Sequence, residues 1–163
     1  MKHTISVLVE NHFGVLARIA ALFSARGYNI DSLCVGETED PAVSRMTVVV
    51  RGEDAVLEQI IKQLNKLVDT IEVVDLTKES FVERELVMVK VKANNKQRSE
   101  IVEIATIFRA KVVDLTSDSM ILEVTGAEEK VEAFVDLMRP FGIKELVRTG
   151  EVAISRSSSR GRS

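Results

Sequence analysis

Residues 3–23 read HTISVLVENHFGVLARIAALF, and this stretch predicts how the fold begins. Ile5, Val7 and Val9 alternate with other residues, as they do in a strand that buries one face. From Leu16 onward, apolar residues recur three and four positions apart, which is the spacing of one face of a helix. The stretch therefore predicts a strand, a short loop that contains a glycine, and a helix.

The same helical spacing occurs four times along the chain. Its apolar positions are Leu16/Ile19/Ala20/Phe23, Leu57/Ile60/Ile61/Leu64, Ile101/Ile104/Ala105/Phe108 and Val131/Phe134/Val135/Met138. Alternating stretches typical of strands lie between them, among them HTISVLVE (3–10), SRMTVVVRG (44–52), ELVMVKVKA (85–93) and SMILEVTG (119–126). The order strand–helix–strand–strand–helix–strand, occurring twice, predicts an α+β protein with two consecutive ferredoxin-like βαββαβ domains.

An internal repeat supports the division into two domains. The segment IAALF (19–23) aligns with IATIF (104–108), and the apolar pattern lapses near LTKES (76–80). We therefore assign residues 1–77 to a first domain, 81–154 to a second, and 155–163 to a basic flexible tail. Each domain is small enough to have a marginal core and leaves sheet edges unpaired, so we expect the chain to self-associate.

Composition narrows the classes of function. The formal net charge of −3 argues against a strongly basic nucleic-acid binder, and SRMTVVVRG (44–52) lacks the aromatic residues of an RNA-recognition strand. No apolar run approaches the roughly 18 residues of a membrane span, and the N-terminus has no signal-peptide pattern. A single cysteine, Cys34, fits a reducing compartment. We expect a cytoplasmic protein with neither nucleic-acid nor membrane partners.

The sequence offers little for catalysis. It contains no G-x-S-x-G motif, no phosphate-binding P-loop and no H-E-x-x-H motif. Glu37, Glu39 and Asp40 precede Pro41 and can be interpreted as general acids or metal ligands, but a solvated turn is the favoured explanation. His12 can be interpreted as a general base or, with better support, as a loop histidine without a catalytic role. We predict no catalytic residue and no metal site.

The loop ENHFGVLAR (10–18) holds the most informative residues. Gly14 lies at the predicted helix start, where unpaired backbone N–H groups form a natural carboxylate site. Asn11 adds a neutral amide that both donates and accepts hydrogen bonds. A small zwitterion needs donors for its carboxylate and acceptors for its ammonium group. An ordinary capped helix start explains the same residues, so the loop alone leaves both interpretations open.

Four motifs occur in order along the chain: NHFGVLARI (11–19), RGYNIDSL (26–33), DPAVSRMT (40–47) and VERELVMVKV (82–91). Together they resemble the regulatory (small) subunit of acetohydroxyacid synthase, also called acetolactate synthase, over essentially residues 1–155. The resemblance implies that the N-terminal domain is an ACT domain, a ferredoxin-like module that binds amino acids. It also implies that the chain activates a separate thiamine-diphosphate-dependent catalytic (large) subunit and confers feedback inhibition by valine. Thiamine diphosphate, Mg and FAD are then expected only in that partner.

The resemblance also assigns an effector site across a homodimer. Its residues are Asn11, Gly14, Val15 and Leu16 from one protomer and Asn29 and Ile30 from the other, with His12, Phe13 and Gly36 around them. We expect the backbone N–H groups of residues 14–16 to hold the valine carboxylate. Asn11, Asn29 and Ile30 are expected to hold the ammonium group and close the site, and the apolar atoms of Val15, Leu16 and Ile30 to contact the isopropyl group.

The second domain departs from this pattern. Its corresponding stretch, ANNKQRSE (93–100), lacks the N-x-x-G loop, so we expect no equivalent amino-acid site there. Dimerisation or relay of the signal is its expected role. The leading hypothesis is a non-catalytic, valine-sensing activator in branched-chain amino-acid biosynthesis. The alternative is a free-standing ACT-type amino-acid sensor that regulates another enzyme.

Overall fold

The structure, a computed structural model, describes residues 1–157 as two compact units. Among the described residues, the first unit comprises Met1–Val82 together with residues 151–157, and the second comprises Glu83–Gly150. Each unit has its own hydrophobic core. The two units are therefore described in turn.

The first unit has the predicted βαββαβ order. Its elements are β1 (Lys2–Glu10), α1 (Val15–Ala25), β2 (Ile30–Glu37), β3 (Val43–Arg51), α2 (Asp54–Lys66) and β4 (Thr70–Asp75), followed by a 3-10 turn at Leu76–Lys78. The antiparallel sheet has the strand order β2-β3-β1-β4. The predicted alternation places Ile5, Val7 and Val9 in the core, where they join the apolar faces of α1 and α2.

The second unit repeats this topology. Its elements are β5 (Phe81–Lys92, which begins just before the division), α3 (Asn95–Phe108), β6 (Lys111–Leu115), β7 (Ser119–Gly126), α4 (Glu128–Met138), a 3-10 turn at Arg139–Phe141, and β8 (Ile143–Arg148). The strand order is β6-β7-β5-β8. Phe134 is fully buried and meets Phe108 edge to face, with ring centroids 5.6 Å apart. The predicted fold class, two ferredoxin-like α+β repeats, is confirmed.

The division into units differs from the predicted boundaries at the C-terminus. The last described strand, β9 (Val152–Ser155), belongs to the first unit, whereas the sequence pattern assigned residues 152–154 to the second domain and Ser155 to the tail. Polar contacts of Glu151 explain the return of the chain. Its carboxylate lies 2.6 Å from Nζ of Lys2, and its backbone N–H donates to Oγ of Ser32. Most of the predicted basic tail, residues 158–163, lies outside the described residues.

Helix α2 begins without a side-chain cap, because its N-cap residue Glu53 makes no side-chain capping hydrogen bond. Asp54 lies in the first turn, where its carboxylate is 3.1 Å from Nε2 of the buried His3. An acid in the first turn still complements the positive end of the helix dipole.

The core of the second unit gives a test of the fold. Phe134→Ala removes a fully buried ring and leaves a cavity, so we expect it to lower the free energy of unfolding by about 3–5 kcal/mol. Urea denaturation followed by circular dichroism measures this change. Ile107→Ala serves as the control, because Ile107 is 77% exposed and its truncation should change the stability by less than about 0.5 kcal/mol. Equal effects of the two variants would contradict the described core.

Candidate effector site at the start of helix α1

Backbone hydrogen bonds fix the loop between β1 and α1 to two neighbouring strand ends. The Glu10 N–H donates to the carbonyl of Asp69 at 2.9 Å, just before β4. The Asn11 N–H donates to the carbonyl of Ala42 at 2.8 Å, just before β3. The loop therefore leaves the sheet at a fixed place even though most of its side chains are exposed.

Gly14 is the N-cap of α1 and requires a glycine conformation. Its φ of +87° lies in the left-handed region that L side chains rarely adopt. Because glycine has no side chain, no capping hydrogen bond is made. Within residues 1–157, no acceptor contacts the N–H groups of Val15, Leu16 and Ala17. The first turn of α1 therefore presents unpaired donors.

The start of the equivalent helix in the second unit, α3, is capped by side chains. Asn94 caps α3 by accepting from the N–H groups of Lys96 and Gln97, and the Gln97 side chain accepts from the Asn94 N–H. Helices α2 and α4 lack side-chain caps but carry acids in their first turns. Among the four α-helices of the described chain, α1 alone has neither a capping side chain nor a first-turn acid. Nothing on α1 itself neutralises the positive end of its dipole.

Asn11 is held in place by its amide nitrogen. Nδ2 donates to the carbonyl of Pro41 at 2.9 Å and to Oε1 of Glu37 at 3.2 Å. No donor among residues 1–157 contacts its Oδ1, which can therefore accept a hydrogen bond, and the Glu37 carboxylate adds negative charge beside it. The turn that contains Glu37, Glu39 and Asp40 is stabilised from within, because the Asp40 carboxylate accepts from the Ala42 N–H. An ammonium group would therefore find its acceptors at Asn11 and Glu37.

The apolar residues of the loop divide between core and surface. The Val15 side chain is buried in the core of the first unit, so this residue offers its backbone N–H rather than its side chain. Leu16 is about half exposed, and Phe13 is 99% exposed. Leu16 and Phe13 are thus the side chains of this loop that remain accessible to an apolar group.

The predicted segment Asn29–Ile30 lies at the other end of the sheet. Ile30 pairs with Val50, whereas the loop emerges where Glu10 pairs with Val43. Seven residues of strand separate these positions, which corresponds to roughly 24 Å. Asn29 is exposed beside Ile30. One chain therefore does not bring the two predicted segments together.

Gly36 lies near the loop end of the sheet, next to Glu37 in β2 and opposite Arg45 on β3. No atom lies within 4 Å of the place where a Cβ would stand on Gly36. Nothing in the described chain therefore requires a glycine at this position.

A charged network, which was not predicted from the sequence, joins the loop to Asp69. Arg18 donates from Nε and Nη2 to Oδ2 of Asp69, at 2.8 and 2.6 Å, and His12 Nε2 lies 2.8 Å from the other Asp69 oxygen. The Asp69 side chain is only 6% exposed. Arg18 belongs to the loop motif, but Asp69 is 51 residues away, so sequence spacing gave no signal for the pair.

The environment of His12 favours its protonated form. The pKa of His12 is raised above its ordinary 6.5, chiefly by a hydrogen bond to the Phe13 carbonyl and further by Glu10 and Asp69. Both ring nitrogens face acceptors, which suits the imidazolium ion. The contacts of protonated His12 therefore contribute fully below pH 6.5 and are lost as the pH rises through the raised pKa.

Three residues of this network are also close enough together to share a metal ion. Ligand atoms of Glu10, His12 and Asp69 lie within 4.8 Å of one another. However, the Arg18 guanidinium already supplies a positive charge to Asp69 at hydrogen-bond distance. The arrangement is therefore an ion-pair network.

Comparisons with known proteins define the class of each unit. Residues 5–72 match the family model described as an acetohydroxyacid synthase (AHAS) small subunit-like ACT domain, and residues 84–157 match the model for the small subunit of acetolactate synthase. The first unit is thus an ACT domain. None of the described helices is long and apolar enough to cross a membrane.

Individual relatives agree over nearly the whole chain. A probable acetolactate synthase small subunit of Archaeoglobus fulgidus is 61% identical over 98% of this chain and 100% of its own length. The acetolactate synthase small subunit of Aquifex aeolicus is 52% identical over 97% of this chain and 83% of its own length. The crystal structure of the Thermotoga maritima small subunit matches with a TM-score of 0.87 and 41% identity, covering 96% and 98% of the two chains. The chain belongs to the family of acetolactate synthase small subunits.

The histidine network gives a test by NMR. Asp69→Asn removes a negative charge 2.8 Å from Nε2, so the pKa of His12 should fall, though the Phe13 and Glu10 contacts will keep part of the increase. Titration of the His12 imidazole resonances measures it. Asp114→Asn, an exposed change in the second unit, should leave the His12 titration unchanged. An unchanged His12 pKa in Asp69→Asn would contradict the described contact.

Proposed function

We propose that this chain is the regulatory subunit that activates a thiamine-diphosphate-dependent acetolactate synthase catalytic subunit and confers feedback inhibition by valine. Family membership supports the regulatory, non-catalytic role. Thiamine diphosphate, Mg and FAD are proposed to reside in the catalytic partner. In this proposal the chain changes the partner's activity by biasing its conformational equilibrium.

The uncapped start of α1 is the observation that carries the effector assignment. Its free N–H groups offer donors to a carboxylate, while Asn11 Oδ1 and the Glu37 carboxylate offer acceptors to an ammonium group. The two halves match the two charges of an amino acid. At the start of α3, the Asn94 side chain already occupies the N–H groups of Lys96 and Gln97, which supports a single effector site in each chain.

The free edge of the first sheet supports a homodimeric site. Strand β2 is the last strand in the order β2-β3-β1-β4, so one edge has no partner in the described chain. Antiparallel pairing of two β2 strands about Leu33 and Cys34 would place the partner's Ile30 opposite Glu37. Glu37 accepts from Asn11, so this pairing would bring the second predicted segment to the loop. Two-fold symmetry would then create two identical sites.

A free-standing amino-acid sensor remains the second candidate, because an ACT domain alone does not specify its target enzyme. Purified chain mixed with the cognate catalytic subunit distinguishes the two. Co-purification and a rise in acetolactate formation support the proposed function. A chain that binds valine but neither binds nor activates the catalytic subunit would establish the alternative.

Valine should stabilise the dimer. A ligand held by both protomers binds the monomer poorly, so linkage requires it to favour association, by about 2.7 kcal/mol per site at a hundredfold excess over its dissociation constant. Analytical ultracentrifugation at low protein concentration should show the dimer persisting to greater dilution with valine than without it. An unchanged dimer dissociation constant would place the ligand within one protomer.

Substitutions in the loop should separate inhibition from activation. Gly14→Asp places a carboxylate beside the position proposed for the valine carboxylate, and two like charges about 4 Å apart cost roughly 4 kcal/mol at an effective dielectric of 20. Valine should then bind about a thousandfold more weakly. Asn29→Ala removes about one hydrogen bond to a charged group and should cost about 1.5–3 kcal/mol. Valine titration of the reconstituted complex measures both effects.

The control for Gly14→Asp is Gly142→Asp in the second unit. Gly142 also has a positive φ, of +94°, and also lies near a basic side chain, Lys92. It should therefore reproduce the backbone strain and the added charge without affecting valine sensitivity. Both Gly14→Asp and Asn29→Ala should still activate the catalytic subunit. If Gly14→Asp is inhibited at the wild-type valine concentration, the effector lies elsewhere.

A further inference from the structure

We propose that Arg18 binds the carboxylate of the amino-acid effector, and that Asp69 is the positioning residue that orients Arg18 for this contact. The inference rests on the proposed effector site and names its charged anchor. Backbone N–H groups alone recognise the carboxylate of any small acid. A guanidinium beside them adds a full positive charge and a planar pair of donors.

Helix geometry brings Arg18 to the loop. Arg18 lies one turn after Gly14, and its N–H donates to the Gly14 carbonyl at 3.1 Å. Side chains on a helix lean towards its N-terminus, so the guanidinium covers the preceding turn. A Cβ on Gly14 would lie 3.0 Å from Nη1 of Arg18. The cation therefore lies beside Gly14, the residue that precedes the unpaired N–H groups.

The Asp69 contact uses only one edge of the guanidinium. Nε and Nη2 both donate to Oδ2 of Asp69. Within residues 1–157, no acceptor contacts Nη1. The edge formed by Nη1 and the second N–H of Nη2 is therefore left for another carboxylate, because a guanidinium can bind one carboxylate on each of two edges.

Asp69 is a rigid support for this arrangement. Its side chain is almost fully buried, and its backbone carbonyl accepts from the Glu10 N–H at the end of β1. Its second oxygen contacts His12 from the same loop. Arg18 is thus oriented before any ligand arrives, which reduces the ordering that binding requires.

The charges around the loop are balanced, so they do not repel a ligand anion from the Arg18 side. Glu10 and Asp69 face His12 and Arg18, so the two acids are balanced by one permanent cation and one histidine with a raised pKa. The acidic side chain of Glu37 lies on the Asn11 side, where the ammonium group is placed. This distribution orients a zwitterion with its carboxylate towards Arg18.

The proposal also gives a second reason for the expected effect of Gly14→Asp. The Cβ of the introduced aspartate would lie 3.0 Å from Nη1, so its carboxylate would be next to the guanidinium. It would then bind Arg18 from within the chain and leave the ligand without its cation.

The test compares valine with valinamide, in which a neutral amide replaces the carboxylate. Calorimetry gives the affinity of each ligand for the full-length wild-type chain and for Arg18→Gln. Glutamine leaves one amide nitrogen as a donor in place of the pair, and the loss of one hydrogen bond between charged groups predicts about tenfold to hundredfold weaker valine binding in Arg18→Gln. Valinamide binding should change by less than about threefold. Asp69→Asn should also weaken valine more than valinamide, because Arg18 loses its orientation.

Two further variants distinguish the loss of a contact with the valine carboxylate from a change in the structure of the loop. The double variant Arg18→Gln/Asp69→Asn leaves no buried carboxylate without its cation. Its affinity for valine should still fall more than its affinity for valinamide. Arg139→Gln, which removes an exposed arginine paired with Asp136 in the second unit, should bind valine as the wild type does. Circular dichroism and urea midpoints report on folding.

The outcomes are distinct. Failure of the wild-type chain to bind valine would overturn the proposed function itself. Wild-type binding that persists unchanged in Arg18→Gln would overturn only the role of Arg18. Equal losses for valine and valinamide in folded Arg18→Gln and in the double variant would show that Arg18 shapes the loop without contacting the carboxylate, which also overturns the proposal.

Discussion

The position of β1 between two partner strands is the constraint on which the first unit depends. All nine of its residues are paired with β3, from Lys2 opposite Arg51 to Glu10 opposite Val43, and β4 pairs along its other side. A strand held on both edges cannot shift register without exposing its buried side chains. The end of β1 is therefore fixed, and with it the point where the loop leaves the sheet and α1 begins.

The two units show how one topology can differ in what it can bind. In the second unit, Asn94 and Gln97 satisfy the start of α3 from within the chain. In the first unit, Gly14 leaves the start of α1 open, and Arg18 and Asp69 place charge beside it. The difference concerns a few residues at one helix end, while the four strands of each βαββαβ repeat keep the same order in their sheet. Capping chemistry, rather than fold, distinguishes the unit we propose to be the sensor.

The proposed site is also incomplete within one chain. The loop at Asn11 and the segment at Asn29 lie at opposite ends of the same sheet, so a single copy offers only one side of the ligand. Completion by a second copy would make effector binding and association the same equilibrium. This coupling is a simple physical route by which a small amino acid can affect an assembly much larger than itself.

Sequence periodicity determined the four main helices and the βαββαβ order, because alternation and helical spacing are local properties. It also indicated Gly14, since glycine at a helix start is visible in the sequence. The cap of α3 had a readable signal as well, an asparagine followed three residues later by glutamine. By contrast, the contact of Arg18 with Asp69, the return of β9 to the first unit and the distance between Asn11 and Asn29 were decided by tertiary structure. Each joins residues far apart in the chain, and only the paired register of the strands determines which of them meet.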